Sequence, residues 1–312
     1  MDDIYTYSII IPHKNCPDLL RRCLDSIPHR DDVQIIVVDD NSDPSKVDFN
    51  HFPGMGESNT EVFLTKEGRG AGYARNVGLR YAKGKWLLFA DADDYLADGC
   101  FSYIDDYKNS VYDIVYFATT SIYPETGEMA MRHIWNQGYI NEALSNDNYD
   151  LLKYKNTSPV AKMVRRSLVQ QRNIFFDEII AANDAMFSIK TAYYANSIAA
   201  DKRVIYVITV RSGSLEYTIS KEVLLCRISV DYAMNKFFRK NGIKERVCAL
   251  RYIMPLRKVS YQLLLQQLIC YLLKNPLCFL FDFLDLFRMY WSKMKVQKSR
   301  WHEDSIYMKI EK

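Results

Sequence analysis

KWLLFADADDYL, residues 85–96, sets an apolar run directly against a cluster of acids. Trp86 to Ala90 is wholly apolar and follows Lys83-Gly84-Lys85, the pattern of a strand buried on both faces of a parallel sheet. Asp91, Asp93 and Asp94 come next, with only Ala92 between them. Carboxylates spaced i and i+2 beyond a buried strand repel one another unless a cation lies between them. With no His or Cys close by, the donor set is oxygen only, which suits Mg2+ or Mn2+ holding a phosphorylated ligand. Taken alone, the stretch reads equally as a solvated Asp-rich turn, and the rest of the chain has to decide.

Working outward, the same arrangement recurs. Tyr7 to Ile11 is predicted as the first strand, ended by Pro12, with Asn15 and Pro17 as the start signals of a helix. That helix places Leu19, Leu20, Cys23, Leu24 and Ile27 on one apolar face. Gln34 to Val38 is a second buried strand, and it too runs into acids, Asp39 and Asp40. Val62 to Leu64 is a third. It leads through a glycine-rich loop, Gly68 to Gly72, into a helix from Tyr73 to Lys83 closed by Gly84. Two βαβ-like repeats imply a right-handed, mostly parallel α/β sheet, which binds ligands at the carboxyl ends of its strands. Three strands deliver polar groups to that edge: Pro12 to Asn15, Asp39-Asp40, and Asp91 to Asp94. A solvated turn would have to recur there by chance.

IIIPHKN (9–15), VVDDNSD (37–43), GAGYARNVGL (70–79) and LLFADADDYL (87–96) together resemble the N-terminal half of the family 2 glycosyltransferases of bacterial surface-polysaccharide type. A looser likeness, to that family's acceptor-side segment, covers SPVAKMVRRSLVQQRNIFFDEIIAANDAMF (158–187), and none extends beyond about residue 220. The resemblance implies a GT-A fold over residues 1–219: a Rossmann-like, mostly parallel sheet with helices on both faces. Residues 1–100 would bind the nucleotide-sugar and 101–219 the acceptor. It further implies an inverting transfer assisted by Mg2+ or Mn2+, with a UDP-sugar the expected donor and a glycan or lipid-linked acceptor. Pro12, Lys14, Asp40, Arg75, Asp91 and Ala92 would line the donor, with Asp40 at the nucleobase edge, Arg75 near it or the diphosphate, and Asp91 facing ribose or metal. Asp93 would be the principal metal ligand, beside Asp91. Asp184 would be the catalytic base, at the first turn of a helix whose dipole favours a carboxylate, with Asp177 or Glu178 in reserve. Lys162 and Arg211-Ser212-Gly213-Ser214 resemble acceptor-side positions. Bland readings stand beside these: Arg75 as a helix-surface arginine, Asp184 as an ordinary helix-start acid, Asp94 as a cap. Haloacid-dehalogenase-type phosphatases carry D-x-D on their first strand and want Thr or Val where Tyr95 stands; a dinucleotide-binding dehydrogenase wants G-x-G-x-x-G where PHKNCP stands. A nucleotidyltransferase, or a non-catalytic module for nucleotide-sugars or glycans, would share the sheet and the acids.

The 312 residues have room for one large domain and an appendage, and 48% of them are hydrophobic. A net charge of +3 and the lack of a basic block interleaved with aromatics give no nucleic-acid surface. Seven scattered Cys without a C-x-x-C pair indicate neither a disulfide framework nor a zinc site, and fit a reducing compartment. The five scattered His read as surface or internally satisfied groups. MDDIYTYSIIIPHKN lacks the marks of a secretory signal, so a cytoplasmic protein is expected. From residue 220 to 312 the chain reads as helical: Lys221 to Lys240 with Ser220 as N-cap, then Ser260 to Leu273 and Leu277 to Trp291. The longest uncharged stretch, Val259 to Leu273, holds 15 residues, short of the roughly 20 that cross a bilayer. Leu277 to Trp291 is rich in Phe and is followed by Lys293, Lys295, Lys298 and Arg300, an order that suits a helix lying on the inner face of an anionic membrane. A helical cap on the sheet, or a homodimer interface through these helices, is the competing reading.

Overall fold

A computed structural model describes residues 5–211, 219–274 and 284. The chain forms two compact units, Met1–Tyr217 and Thr218–Lys312. The first is built from β1 (Tyr5–His13), α1 (Pro17–Asp25), β2 (Val33–Asp40), β3 (Thr60–Thr65), α2 (Ala71–Tyr81), β4 (Gly84–Phe89), β5 (Tyr95–Leu96), α3 (Cys100–Asp105), β6 (Ile114–Ile122), α4 (Ile134–Asn146), α5 (Asp150–Tyr154), β7 (Lys162–Arg165), α6 (Arg166–Gln171), α7 (Ala185–Tyr194) and β8 (Ile198–Thr209). The strands make one sheet in the order β3-β2-β1-β4-β7-β6-β8-β5. β3 to β4 pair in parallel, β7 runs antiparallel between β4 and β6, and β6 pairs with β8 in parallel.

Continuous apolar runs suit strands covered on both faces. Alternate residues sort to opposite cores: Ile9, Ile11, Ile35, Val37, Trp86 and Leu88 pack under α1 and α3, while Ile10, Ile36, Val38, Leu87 and Phe89 pack under α2, α4, α6 and α7. Close approach of α2 to the sheet needs Gly78, where an added Cβ would lie 2.5 Å from Ile10 Cγ2.

Pro12 does not end β1, which continues to His13 in register with Asp39. Ile10 turns its carbonyl to β4, where it accepts from the Ala90 N–H; Pro12, two residues on, turns the same way, past the last pair, so its missing N–H costs the ladder nothing. Asn15 is not a helix cap either. It sits at φ 58° and its side chain accepts from the Asp43 N–H at 2.7 Å, tying two strand-end loops together, and α1 begins at Pro17 behind an uncapped Cys16.

The second unit contains α8 (Lys221–Lys240), α9 (Leu250–Ile253) and α10 (Tyr261–Lys274). Ser220 caps α8 by accepting from the Val223 N–H, and Gly242 turns the chain at φ +67° beyond its end. Leu224, Ile228, Ala249, Leu250, Ile253, Leu256 and Tyr271 form its core. The stretch Leu277 to Trp291 and the basic residues after it lie outside the described residues, save Leu284, as do Ser212, Gly213 and Ser214.

Candidate active site

β4 delivers the acids. Past Phe89 the chain turns tightly, the Asp94 N–H donating to the Asp91 carbonyl at 3.0 Å, and this folds Asp91, Asp93 and Asp94 together with carboxylate oxygens within 4.8 Å of one another. The turn is held from a distance. The Asp91 N–H donates to the Tyr206 hydroxyl on β8 at 2.9 Å, and the Asp93 carbonyl accepts from Arg22 on α1 and from the Thr209 hydroxyl at 2.6 Å. Arg211 pairs with the Asp93 carboxylate through Nε at 3.0 Å and Nη2 at 2.7 Å. Asp94 caps nothing. It is buried and accepts from the Thr209 N–H at 2.7 Å; burial, and then the charges of Asp91 and Asp93, push its carboxyl up to about 8. Ala92 packs its side chain into the core under α1, so only its backbone faces the edge, and Pro12 is likewise buried.

The two acids of β2 part company. Asp39 accepts from His13 Nδ1 at 2.7 Å and from the Ser42 N–H at 2.9 Å, and the Cys16 N–H donating to Nε2 leaves the ring proton on Nδ1. Asp39 is therefore a strut between β1 and β2, held below the usual carboxylate range against its burial by His13 and Ser42. Asp40 turns to the site. Its Oδ2 accepts from the Gly70 N–H at 2.8 Å and from Lys14 at 3.3 Å, whereas Oδ1 is buried without a hydrogen-bond partner.

Arg75 is no surface residue: it is 5% exposed, on the buried face of α2. Nη2 pairs with Asp91 at 2.5 Å, Nη1 donates to the Asn183 side chain at 2.9 Å, and the guanidinium lies 5.3 Å from the Phe176 ring centre. One side chain thus joins the acid turn to the loop that leads into α7. The loop is shaped against α2 at Gly72, where a Cβ would meet the Asp177 carbonyl at 2.1 Å, and closed by the Asp177 N–H on the Asn183 carbonyl at 3.0 Å. Asp184 stands at the start of α7 without capping it. Burial holds its carboxyl above the usual range, opposed by Arg75 and Lys162. Lys162 is buried, donates to the Asn156 carbonyl at 2.8 Å and is drawn down to about 7 by burial, Asp184 acting against the shift. Glu178 is engaged by Arg69 and by Asn76, and Asp177 is half-buried with its carboxyl raised. Tyr206, Thr209 and Arg22, which fix the acid turn, carry no sequence signal: an isolated Tyr, Thr or Arg far from the motif acquires its role only when β8 and α1 reach the same edge.

Three carboxylates on one turn, with no His or Cys among them, form the hard oxygen donor set that a divalent Mg2+ or Mn2+ takes. Arg75 and Arg211 already lean on two of the acids, as expected where negative charge is concentrated.

Residues 8–173 match the family described as Glycosyl transferase family 2. Among curated proteins the chain is similar to the poly(ribitol-phosphate) beta-glucosyltransferase of Bacillus spizizenii, 28% identical over 212 residues, or 64% of this chain and 32% of that protein. The chain therefore spans about a third of that relative's length. Its fold is similar to that of Staphylococcus aureus TarS 1–349, solved in complex with UDP-GlcNAc, with a TM-score of 0.60 and 20% identity over 80% of this chain and 70% of the other. A mannosyltransferase from Pyrobaculum calidifontis, solved with GDP-Man and Mn2+, aligns with a TM-score of 0.50 and 16% identity over 86% of this chain and 80% of the other. The architecture is the Rossmann-like GT-A fold with added C-terminal helices.

Proposed function

The chain belongs to glycosyl transferase family 2, and from that membership we propose that it moves one sugar from a UDP-sugar to a hydroxyl of a surface glycan or its lipid-linked precursor, with inversion. The observation that carries this reading is the meeting, through Arg75, of the acid turn after β4 with Asn183-Asp184 at the start of α7. On this reading donor-side and acceptor-side groups share one edge of one sheet.

The partnerless, buried Asp40 Oδ1 supports its role as acceptor for an N–H on the nucleobase edge, with Lys14 and the Gly70 N–H fixing the other oxygen. Asp91 and Asp93 would hold Mg2+ or Mn2+, with Asp94 behind them; the cation, when bound, neutralises charge on the diphosphate. Arg75 and Arg211 stand ready to turn from those acids to phosphate oxygens. Asp184 takes the proton of the acceptor hydroxyl as its oxygen bonds to the anomeric carbon and the bond to the diphosphate breaks, the electron pair leaving with UDP. The raised carboxyl strengthens it as a base. The relative's action on poly(ribitol-phosphate) and the UDP-GlcNAc in TarS support the choice of donor and of a phosphate-bearing glycan. A lipid-linked acceptor is met at the cytoplasmic face of the membrane, and we place the enzyme there as a peripheral protein.

The test is incubation with UDP-glucose or UDP-GlcNAc, Mn2+ and a poly(ribitol-phosphate) acceptor. UDP release with formation of the opposite anomer, read by NMR, is expected. Release of pyrophosphate would mark a nucleotidyltransferase, and tight donor binding without turnover a binding module.

A further inference from the structure

The charges of the chain are unevenly shared. Residues 1–217 hold 23 Lys and Arg against 30 Asp and Glu, net −7, whereas residues 218–312 hold 18 against 8, net +10. An acidic catalytic unit joined to a basic appendage points to an anionic partner for the appendage alone.

Within that appendage α10 is apolar on two sides. Leu264, Leu268 and Tyr271 pack toward Leu224, Ile228 and Ile253. Tyr261, Leu265, Ile269, Leu272 and Leu273 follow helical spacing on the other side and lie open, and Tyr261, Leu265, Ile269 and Leu273 are each 58–78% exposed. Single exposed apolar residues need no explanation, but a stripe along a whole helix does. Exposed Arg257 and Lys258 precede the stripe, whereas Lys274 turns inward, its ammonium 4.2 Å from the Tyr232 ring centre.

We propose that this outward stripe of α10 lies in the headgroup region of an anionic bilayer, with its apolar side chains in the interface and Arg257 and Lys258 against lipid phosphates. The inference rests on the peripheral placement above and assigns the contact surface. At about 1.5 Å per residue, the described span Tyr261–Lys274 is shorter than a bilayer is thick, and no helix among the described residues is long and apolar enough to cross; the proposal lays it in the plane of the interface. A soluble polyanion would answer the charges but offers nothing to Leu265 and Ile269. A second copy would cover the leucines but bring two units of net +10 together.

The experiment is co-sedimentation of the full chain with phosphatidylcholine vesicles, with and without phosphatidylglycerol, comparing the wild type with Leu265→Glu/Ile269→Glu. Leu265→Ser/Ile269→Ser serves as a milder second variant, and melting and UDP-sugar affinity report folding of each. The wild type should pellet with the anionic vesicles only, less so at high salt, and the variants should lose about tenfold or more in partitioning at unchanged donor affinity. If wild type and folded variants pellet alike, the α10 surface is wrong while the peripheral placement survives. If none pellets, both fall. Equal binding to neutral vesicles overturns the anionic part. Without vesicle binding, inorganic polyphosphate binding unaffected by the variants overturns the proposal for a polyanion site, and a wild-type dimer dissociated by them overturns it for self-association.

Discussion

Arg75 shows how much a single side chain decides here. Its place inside a motif made it a candidate, but its partners, Asp91 and Asn183, are 16 and 108 residues away, and only the folded chain unites them. The acids after β4 were legible because a charge cluster against an apolar run is a local signal. Tyr206, Thr209 and Arg22 were not, because single polar residues become informative only through long-range contact. Asp93→Asn should lower transfer by about 100-fold or more and raise the Mn2+ concentration needed for half-maximal rate, with the melting temperature kept. Full activity of that variant in excess EDTA would remove Asp93 from the metal. Asp184→Asn should lower kcat by about 100-fold or more while donor affinity, by calorimetry, stays level. Because the base works deprotonated and its carboxyl is raised, the wild-type rate should fall on acidification at a pH above the ordinary carboxylate value of about 4. An acid limb unchanged in Asp184→Asn would move the role to Asp177 or Glu178.

Among the elements, the strands of the first hundred residues lie close to where the sequence puts them, since strands covered on both faces read as unbroken apolar runs. Their ends differ from the sequence pattern at Pro12 and Asn15, where the outcome turns on which way a backbone group faces and on a left-handed turn. Beyond residue 100 the interleaving of β7 between β4 and β6 left no local mark. It is a matter of pairing, which the composition of a strand does not encode. α2 sets the site through its bare N-terminal turn. Gly72→Ala would drive a methyl group into the Asp177 carbonyl, so it should cost about 1–3 kcal/mol and displace the loop carrying Asn183 and Asp184. Chemical denaturation and kcat should fall together, whereas unchanged stability with unchanged turnover would show that the loop is not braced there.

For the molecule as a whole, resistance to acid should follow its ion pairs. Arg30 holds Asp32 below the usual carboxylate range; burial works against Asp105, but Arg30 and Tyr7 hold it low as well, and burial works against Asp201, but Arg203 lowers it. Groups with depressed folded values add stability that is present above about pH 4 and lost as pH falls through those values. A urea midpoint that falls below about pH 4 is expected, with a shallower fall in Arg30→Ala. An equally steep fall in that variant would remove the Arg30 pairs as its cause. The tie from Asp91 through Arg75 to Asn183 also has a consequence in time. On the proposed reading, a cation brought with the donor would occupy Asp91, Arg75 would then be free to pair with the diphosphate, and the loop bearing Asp184 would take its working position only then. The reaction should therefore have a compulsory sequence, donor before acceptor, with UDP departing last. In initial-rate experiments UDP should compete with the donor and act as a noncompetitive inhibitor toward the acceptor, and a random-order pattern would show that the two halves of the site fill independently.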